Sequence, residues 1–444
     1  MATYKYFQPE YVKNFQCDGQ KCSAFCCKNN WRIVIDKKTY KKYSHLKPKS
    51  AAKEIMRNLK KIDGSEYYQI KLDEKFNCPF LTEENLCYIH KNYGEEFLSQ
   101  ICATYPRRTW YFGDFYERSL LLTCPVVAEM VLLENAPMKF ESIEVPEKFH
   151  TNSGLINIYK SELPEGFFDY LISIQEAEIT ILQERTLTID QRLLMLGLYY
   201  DKLDELINIH RNYEWEKSNS IYNGTEFGRD KYAQNVLSNE KTEELEKVNL
   251  IYTNSNFLQK QAAQFSPVIK FNVENYIKIM LGLLEELYGN KFQPNEDRKL
   301  LEAVISTLEL QADSNTQVKI SEVAEKYTAL NAEREKFLQR FSTVFENYLI
   351  HELFLNLYPF RFVNSMNYNF EIFAVIYKML ELLTFSSFMQ KENYSEQDLI
   401  SEIRFYVGRT NNNKKYLKKI SDFIQGQKDL VEFMQSMLQL KNLP

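Results

Sequence analysis

No cysteine follows Cys124 in this 444-residue chain, yet eight lie between Cys17 and Cys124. Cysteines used only as small core hydrophobes would be scattered along the sequence. Their confinement predicts an N-terminal module that depends on thiol chemistry. There is no apolar run long enough to cross a bilayer, which argues against a membrane partner. The opening stretch, MATYKYFQPEYVKNF, lacks the apolar core and small-residue cleavage site of a secretory leader. A cytoplasmic protein is therefore expected, in a compartment where thiols stay reduced and stable disulfides are rare. Glycine is scarce as well, with 13 in all and only nine after residue 150. The G-x-G turn of a Rossmann sheet and the G-x4-G-K-[ST] phosphate loop are both missing, so neither of these nucleotide cradles is present.

Charge divides where the cysteines stop. Residues 1–125 hold 21 Lys+Arg against 14 Asp+Glu, a net +7, and the remainder holds 34 against 46, a net −12. KKTYKK (37–42) is the densest basic run of the N-terminal part. It fits a solvated helix face, or a surface that attracts an acidic partner. Overall acidity and the lack of a recognisable binding motif argue against nucleic acid.

WRIVID (31–36) alternates and predicts a short strand, with Asp36 as N-cap of a helix reaching about His45. Residues 51–62 carry a helical pattern, 69–89 suggest two short strands flanking a turn, and a helix is expected over 94–103. Residues 108–122 suggest a hairpin turning near Gly113 and Asp114, and Cys124-Pro125 opens a further helix. Beyond residue 150 helix-period segments dominate. They cover 167–183, a helix opened by a Thr188–Gln191 capping box, 273–288, 297–311, 319–357, 367–390, 395–408 and 412–440. The polar tract 213–246 suggests a long loop with a helix near TEELEKV. The expected fold is mainly α: a small cysteine-rich α+β metal-binding module over 1–150, docked on a larger all-helical domain over 151–444.

The cysteines are spaced Cys17-x4-Cys22-x3-Cys26-Cys27, then Cys78-x8-Cys87, Cys102 and Cys124. Thiolates are soft ligands that suit zinc or iron–sulfur clusters. The paired C-x2-C units of a zinc ribbon do not occur. A 4Fe–4S cluster takes four cysteines around a larger core. Eight cysteines therefore suit one cluster with four further thiols, or two metal sites. The radical-type loop C-x3-C-x2-C is absent, because Cys22-x3-Cys26 begins it but Asn29 occupies its third place.

The segments FQCDGQKCSAFCCKNNWRIVID, CPFLTEENLCYIH, CATYPRR and the Cys124-Pro125 step together resemble the flagellin lysine N-methylases (the FliB family). They also resemble the broader YkgJ-like group of zinc- or iron-chelating modules. The stretches ILQERTLTIDQRLLMLGLYYDKL (181–203) and ENYLIHELFLNLYPF (346–360) are similar to the helical region of the same family. The resemblance implies S-adenosylmethionine-dependent methylation of lysines in flagellin by an enzyme that carries an iron–sulfur cluster, with zinc as the alternative metal. It assigns Cys17, Cys22, Cys26 and Cys27 to a first group of metal-binding thiols, and Cys78, Cys87, Cys102 and Cys124 to later ones. The competing reading is a non-catalytic zinc or iron–sulfur protein serving redox sensing or interaction.

Arg107 and Arg108 follow Cys102 closely, and a guanidinium there suits a carboxylate of the cofactor or of the protein substrate. His90 is a possible nitrogen ligand after Cys87, against the plainer reading of a surface histidine. Asp36, Asp114 and Glu117 are candidate acceptors of the lysine proton, against the plainer readings of a helix cap or an exposed carboxylate. His45, His150, His210 and His351 are scattered. No Ser–His or Cys–His pair of a nucleophile and its base is legible.

Overall fold

The computed structural model describes residues 3–17, 25–28, 32–111, 115–146, 155–157, 167–207, 239–265, 272–288, 295–310, 319–361, 365–411, 413–426 and 430–438. The fold is mainly α, with nineteen α-helices among the described residues and two small sheets. The chain divides into two compact units. One comprises Met1–Val131 with Lys139–Asn157, the other Leu132–Met138 with Ile158–Pro444.

The first unit contains, in chain order, β1 (Thr3–Pro9), α1 (Tyr11–Asn14), a one-turn 3-10 helix (Phe25–Cys27), β2 (Val34–Ile35), α2 (Lys37–Ser44), α3 (Lys49–Arg57), β3 (Leu59–Lys61) and β4 (Tyr68–Ile70). It continues through α4 (Tyr88–Tyr93), α5 (Gln100–Thr104), β5 (Arg107–Tyr111), β6 (Phe115–Leu120), α6 (Pro125–Leu132), β7 (Phe140–Pro146) and β8 (Leu155–Asn157). The three short strands form one antiparallel sheet in the order β2-β4-β3. Ile33, Ile35, Ile55, Leu59, Ile70, Phe80 and Ile89 close its core. The five-stranded sheet runs β7-β1-β6-β5-β8, with β1 parallel to β6 and β5 parallel to β8.

The second unit is helical. Its elements are α7 (Phe167–Leu182), α8 (Ile189–Ile207), α9 (Asn239–Tyr252), α10 (Ser255–Phe265), α11 (Val273–Tyr288), α12 (Asn295–Thr307) and α13 (Ile320–Ala329). They are followed by α14 (Asn331–Arg340), α15 (Ser342–Leu355), α16 (Met366–Gln390), α17 (Glu396–Thr410), α18 (Lys414–Gln425) and α19 (Leu430–Met437). The expectation that no run is long enough to cross a bilayer needs correction: α16 is, by length and composition, but every residue from Met366 to Ser386 is buried within the protein. It packs against α8, α12, α17, α18 and α19, and a helix apolar all round is what a bundle centre requires.

Four charged side chains lock α8, α14 and α16 together. Lys378 Nζ lies 2.5 Å from Asp190 Oδ1 and 2.9 Å from Glu381 Oε2. Arg334 lies 2.5 Å from Glu381 Oε1 and 3.1 Å from Asp190 Oδ2. The two cations and two anions form a closed, neutral ring, and all four are buried. Burial alone would raise the Asp190 pKa, but Lys378 and Arg334 outweigh it and hold the carboxyl below its ordinary value.

The cap at Asp36 is as expected: its carboxylate accepts from Thr39 N at 2.9 Å and from Thr39 Oγ1 at 2.8 Å. The Thr188–Gln191 box is also present, through Thr188 N to Gln191 Oε1 at 2.9 Å and Gln191 N to Thr188 Oγ1 at 3.3 Å. β5 and β6 form the expected hairpin, with Arg107 opposite Leu120, while Gly113 and Asp114 lie outside the described residues. Other expectations need correction. The helix expected over 51–62 stops at Arg57, because Leu59–Lys61 pairs with β4. The second strand expected within 69–89 is a single bridge, Leu81 to Cys87, followed by α4. The helix expected over 94–103 is a 3-10 turn at Glu95–Phe97 and then α5. The segment 319–357 breaks at Leu330 and Phe341, and 412–440 breaks after α18.

Two expectations follow. Lys378→Met leaves two buried carboxylates facing one arginine, so urea unfolding of the helical unit should lose about 3–5 kcal/mol. A loss under about 1 kcal/mol would show that the ring does not hold these helices. The second concerns Asp204 on α8, which accepts from Met366 N at 2.8 Å and Asn367 N at 3.0 Å. Burial still pushes its pKa up to about 7, and burial does the same to Glu402. Because these folded values exceed the unfolded ones, the linked stability is complete below about pH 4 and is lost as pH rises through 7. The melting temperature should therefore fall between pH 5 and 8, and fall less steeply in Asp204→Asn. An unchanged slope in that variant would contradict the assignment.

Candidate thiol site

Two tight turns position the later cysteines. In the first, the Asp73 carboxylate accepts from Lys75 N, Asn77 N and Asn77 Nδ2 at 2.8–2.9 Å, and Phe76 takes a φ of 61°. Cys78 follows directly. In the second, Thr82 N donates to Leu86 O at 2.9 Å with Asn85 at φ 58°, and Cys87 follows. The N-terminal pair is fastened to both turns. Cys78 N donates to Cys27 O at 2.7 Å, and Lys28 Nζ donates to Asn85 Oδ1 at 2.6 Å. α5 supplies Cys102, whose amide is capped by Ser99 Oγ at 3.3 Å. Gly94 ends α4 at a φ of 88°, a conformation that glycine adopts without strain.

These elements gather five thiols. Cys26 Sγ lies 3.9 Å from Cys27 Sγ. Cys27 is influenced electrostatically by Cys78 and Cys87, and Cys102 by Cys87 and Cys26. The buried Tyr43 on α2 feels Cys102, Cys87 and Cys78 at once. The hydrogen bond from Cys27, followed by burial, pushes the Cys26 thiol up. Cys27 rises too: its hydrogen bond with Cys26 works the other way, but contact with Cys78 and burial outweigh it. Cys102 is open to solvent, yet protein crowding round the sulfur still lifts its pKa to about 12. Such thiols stay protonated until a metal displaces the proton, and binding then couples to proton release.

The remaining expected ligands fall as follows. Cys17 is exposed and follows α1, and Cys124 is buried at the start of α6, where its carbonyl accepts from Ala128 N at 2.9 Å. Cys22 lies outside the described residues. No disulfide joins the seven described cysteines. A zinc tetrahedron with Zn–S bonds of about 2.3 Å has edges of about 3.8 Å, close to the 3.9 Å between Cys26 Sγ and Cys27 Sγ. Among the described residues no three His, Cys, Asp or Glu groups converge closely enough to hold one ion. The all-sulfur donor set, spread more widely than one tetrahedron, suits a multi-atom cluster.

Arg107 and Arg108 are consecutive on β5 and face opposite sides of the sheet. Arg107 lies 5.3 Å from the Phe15 ring centre, and Arg108 lies 5.8 Å from that of Trp110. The Arg107 side of the sheet carries an aromatic group that the sequence did not reveal. Tyr116 stacks on Tyr6 at 4.9 Å and on Tyr111 at 4.7 Å, and Tyr4 meets it edge-on at 5.8 Å. Arg118 lies over Tyr6 at 4.2 Å, its pKa lowered by burial and by Arg107. The strands that assemble these rings are far apart in sequence, so only their alternation, as in TYKYFQP, could have signalled them. His90 is exposed on α4, as the plainer reading held. Glu117 departs from the expectation of an exposed carboxylate: it is fully buried on β6, opposite Trp110. His45 is exposed on the first unit, while His351 is buried on α15. His150 and His210 lie outside the described residues.

A thiol-bearing module on one unit and a helical second unit define the class, and comparison supplies the family. The family model described as the FliB lysine N-methylase C-terminal domain matches residues 175–440, and the chain belongs to that family. The flagellar biosynthetic protein FliU of Salmonella muenchen is 37% identical over 129 residues, which cover 28% of this chain and 75% of that protein. Lysine-N-methylases of Salmonella choleraesuis (strain SC-B67) and Salmonella typhimurium (strain LT2) are each 34% identical over 149 residues. These matches cover 32% of this chain and 37% of each methylase, little more than a third of the relatives' length. No solved structure matches.

The cap on α2 gives a direct check on how Tyr43 is carried to the thiols. Asp36→Ala should lower the stability of the first unit by about 1 kcal/mol, and Asp36→Asn should restore most of it. Thermal melts that are equal for the wild type and the alanine variant would contradict this.

Proposed function

We propose that this protein is an S-adenosylmethionine-dependent protein-lysine N-methyltransferase acting on flagellin, with a 4Fe–4S cluster held by thiols of the first unit. The observation that carries the reading is the grouping of Cys26, Cys27, Cys78, Cys87 and Cys102 in a chain of the FliB family. Relatives named lysine-N-methylase and flagellar biosynthetic protein support the reaction and the flagellar substrate. Four of the five thiols, or Cys22 with three of them, would ligate the cluster, which would supply a redox-active or Lewis-acidic iron centre. Bound S-adenosylmethionine would supply an electrophilic methyl group on a sulfonium cation.

The other tasks fall to the chain. A lysine of pKa about 10.4 is almost wholly protonated at pH 7, and its nitrogen attacks only after losing that proton. Desolvation and a base both serve this end. Glu117, a candidate acceptor from its residue type, is buried on the opposite side of the sheet from Tyr6, Tyr111 and Tyr116, so on the tyrosine face the task falls to desolvation of the amine. The stacked faces of Tyr6, Tyr111 and Tyr116 suit a sulfonium or ammonium cation. Arg107, on the same side of the sheet, is the candidate partner for the cofactor's carboxylate.

The test uses anaerobically purified full-length protein with methyl-labelled S-adenosylmethionine and flagellin. Label should appear on flagellin lysines. Cys87→Ala should lose both iron and activity. Arg107→Ala should keep its iron while cofactor affinity falls roughly tenfold to a hundredfold, the value of about 1.5–3 kcal/mol for a charge-assisted hydrogen bond. Absence of label at full iron content would overturn the methylase reading and favour a non-catalytic redox or interaction protein.

A further inference from the structure

Strand alternation separates two arginines that the sequence sets side by side and unites two that it keeps apart. Arg107 and Arg108 point to opposite faces of β5, whereas Arg118 on β6 shares the face of Arg107. In the hairpin Arg107 lies opposite Leu120 and Thr109 opposite Arg118. Arg107 and Arg118 are therefore diagonal neighbours, about 7–8 Å apart at the backbone and within reach of each other's long side chains. Both are half-buried. Arg118 is held in place: its guanidinium lies over the Tyr6 ring at 4.2 Å, and its Nε donates to Thr109 Oγ1 at 3.4 Å. No ion pair among the described residues engages Arg107 or Arg118. Glu141, which β7 places on the same face, is taken by Lys13 at 3.0 Å and Gln8 at 3.1 Å. Two like charges held together on a half-buried face repel one another, and an anion between them turns that repulsion into attraction.

We propose, on the basis of the methylase reading, that Arg118 is the second arm of a clamp with Arg107. The clamp grips the carboxylate of S-adenosylmethionine and so selects it over sulfonium compounds that lack that carboxylate. Each planar guanidinium can engage a carboxylate oxygen, and Tyr6 and Thr109 fix the plane of one of them before the ligand arrives. The neighbouring rings favour a carboxylate that belongs to a cationic ligand. Tyr116 stands two residues before Arg118 on β6, a spacing of about 6–7 Å, and its ring stacks with those of Tyr6 and Tyr111. A ligand with a carboxylate at the arginines and a sulfonium a few atoms away at the rings satisfies both groups. Inorganic phosphate satisfies the arginines alone.

The experiment is isothermal titration calorimetry of anaerobically purified full-length protein with S-adenosylmethionine and with its decarboxylated form. The wild type should bind S-adenosylmethionine at least about tenfold more tightly than the decarboxylated form. Arg118→Gln should lower that ratio about tenfold, by weakening S-adenosylmethionine and leaving the decarboxylated form unchanged, with iron content and circular dichroism as in the wild type. Arg118→Lys keeps the charge but not the planar fork and should recover only part of the ratio. If Arg118→Gln does not fold, Arg118→Lys carries the same measurement. A wild-type ratio in either folded variant overturns the proposal. So does equal wild-type binding of the two forms, and so does inorganic phosphate that binds as tightly as S-adenosylmethionine, which would give the arginine pair to a phosphate group. Wild-type protein at full iron content that binds neither form would overturn the methylase reading itself, and the clamp with it.

Discussion

The hydrogen bond from the Cys78 amide to the Cys27 carbonyl, 2.7 Å long, is the contact on which the thiol site depends. It joins segments about fifty residues apart and brings an adjacent cysteine pair against the two turns that present Cys78 and Cys87. Neither partner is a side chain, so the link survives any change of thiol chemistry. Cys26, Cys27, Cys87 and Cys102 are pushed toward their neutral forms by burial and by neighbouring thiols, and the buried Tyr43 lies among them. Such a group gains from a cation that takes the place of its protons, and metal binding and folding then draw on the same free energy.

The helical unit solves a different problem. Its central helix is apolar on every side, yet it carries Lys378 and Glu381 in the interior. Those charges are tolerable only because Asp190 and Arg334 complete a neutral ring with them. The ring ties three helices from distant parts of the chain and fixes which of their faces meet. A second buried carboxylate acts alike at the same N-terminal end of α8: Glu346 on α15 accepts from Arg185 and from Arg192, with Arg192 Nη1 at 2.8 Å. Apolar packing alone would leave the helices freer to slide and rotate.

Much of this was legible in sequence where the signal is local. Asp36 and Thr188 announced their helices by side-chain chemistry within three residues, and Cys124-Pro125 opened α6 as its spacing suggested. The confinement of cysteine pointed to an N-terminal module, and the helical texture after about residue 150 pointed to a helical second part. What escaped was set by distant partners. β1 is held by β6 and β7, more than a hundred residues away, and nothing within TYKYFQP states that pairing. The tyrosine face and Arg118 were missed with it. The breaks at Leu330 and Phe341 contain neither glycine nor proline, so the helical period runs through them unmarked. Glu117 looked like a surface carboxylate because strand alternation does not reveal that both faces of a central strand are covered.

The central claim is that the gathered thiols hold an iron–sulfur cluster, and X-ray absorption at the iron edge of anaerobically purified protein tests it most directly. The account expects stoichiometric iron in an all-sulfur shell, with a second shell of neighbouring iron atoms. Iron-free protein carrying a single tetrahedral zinc with four sulfur ligands would contradict it.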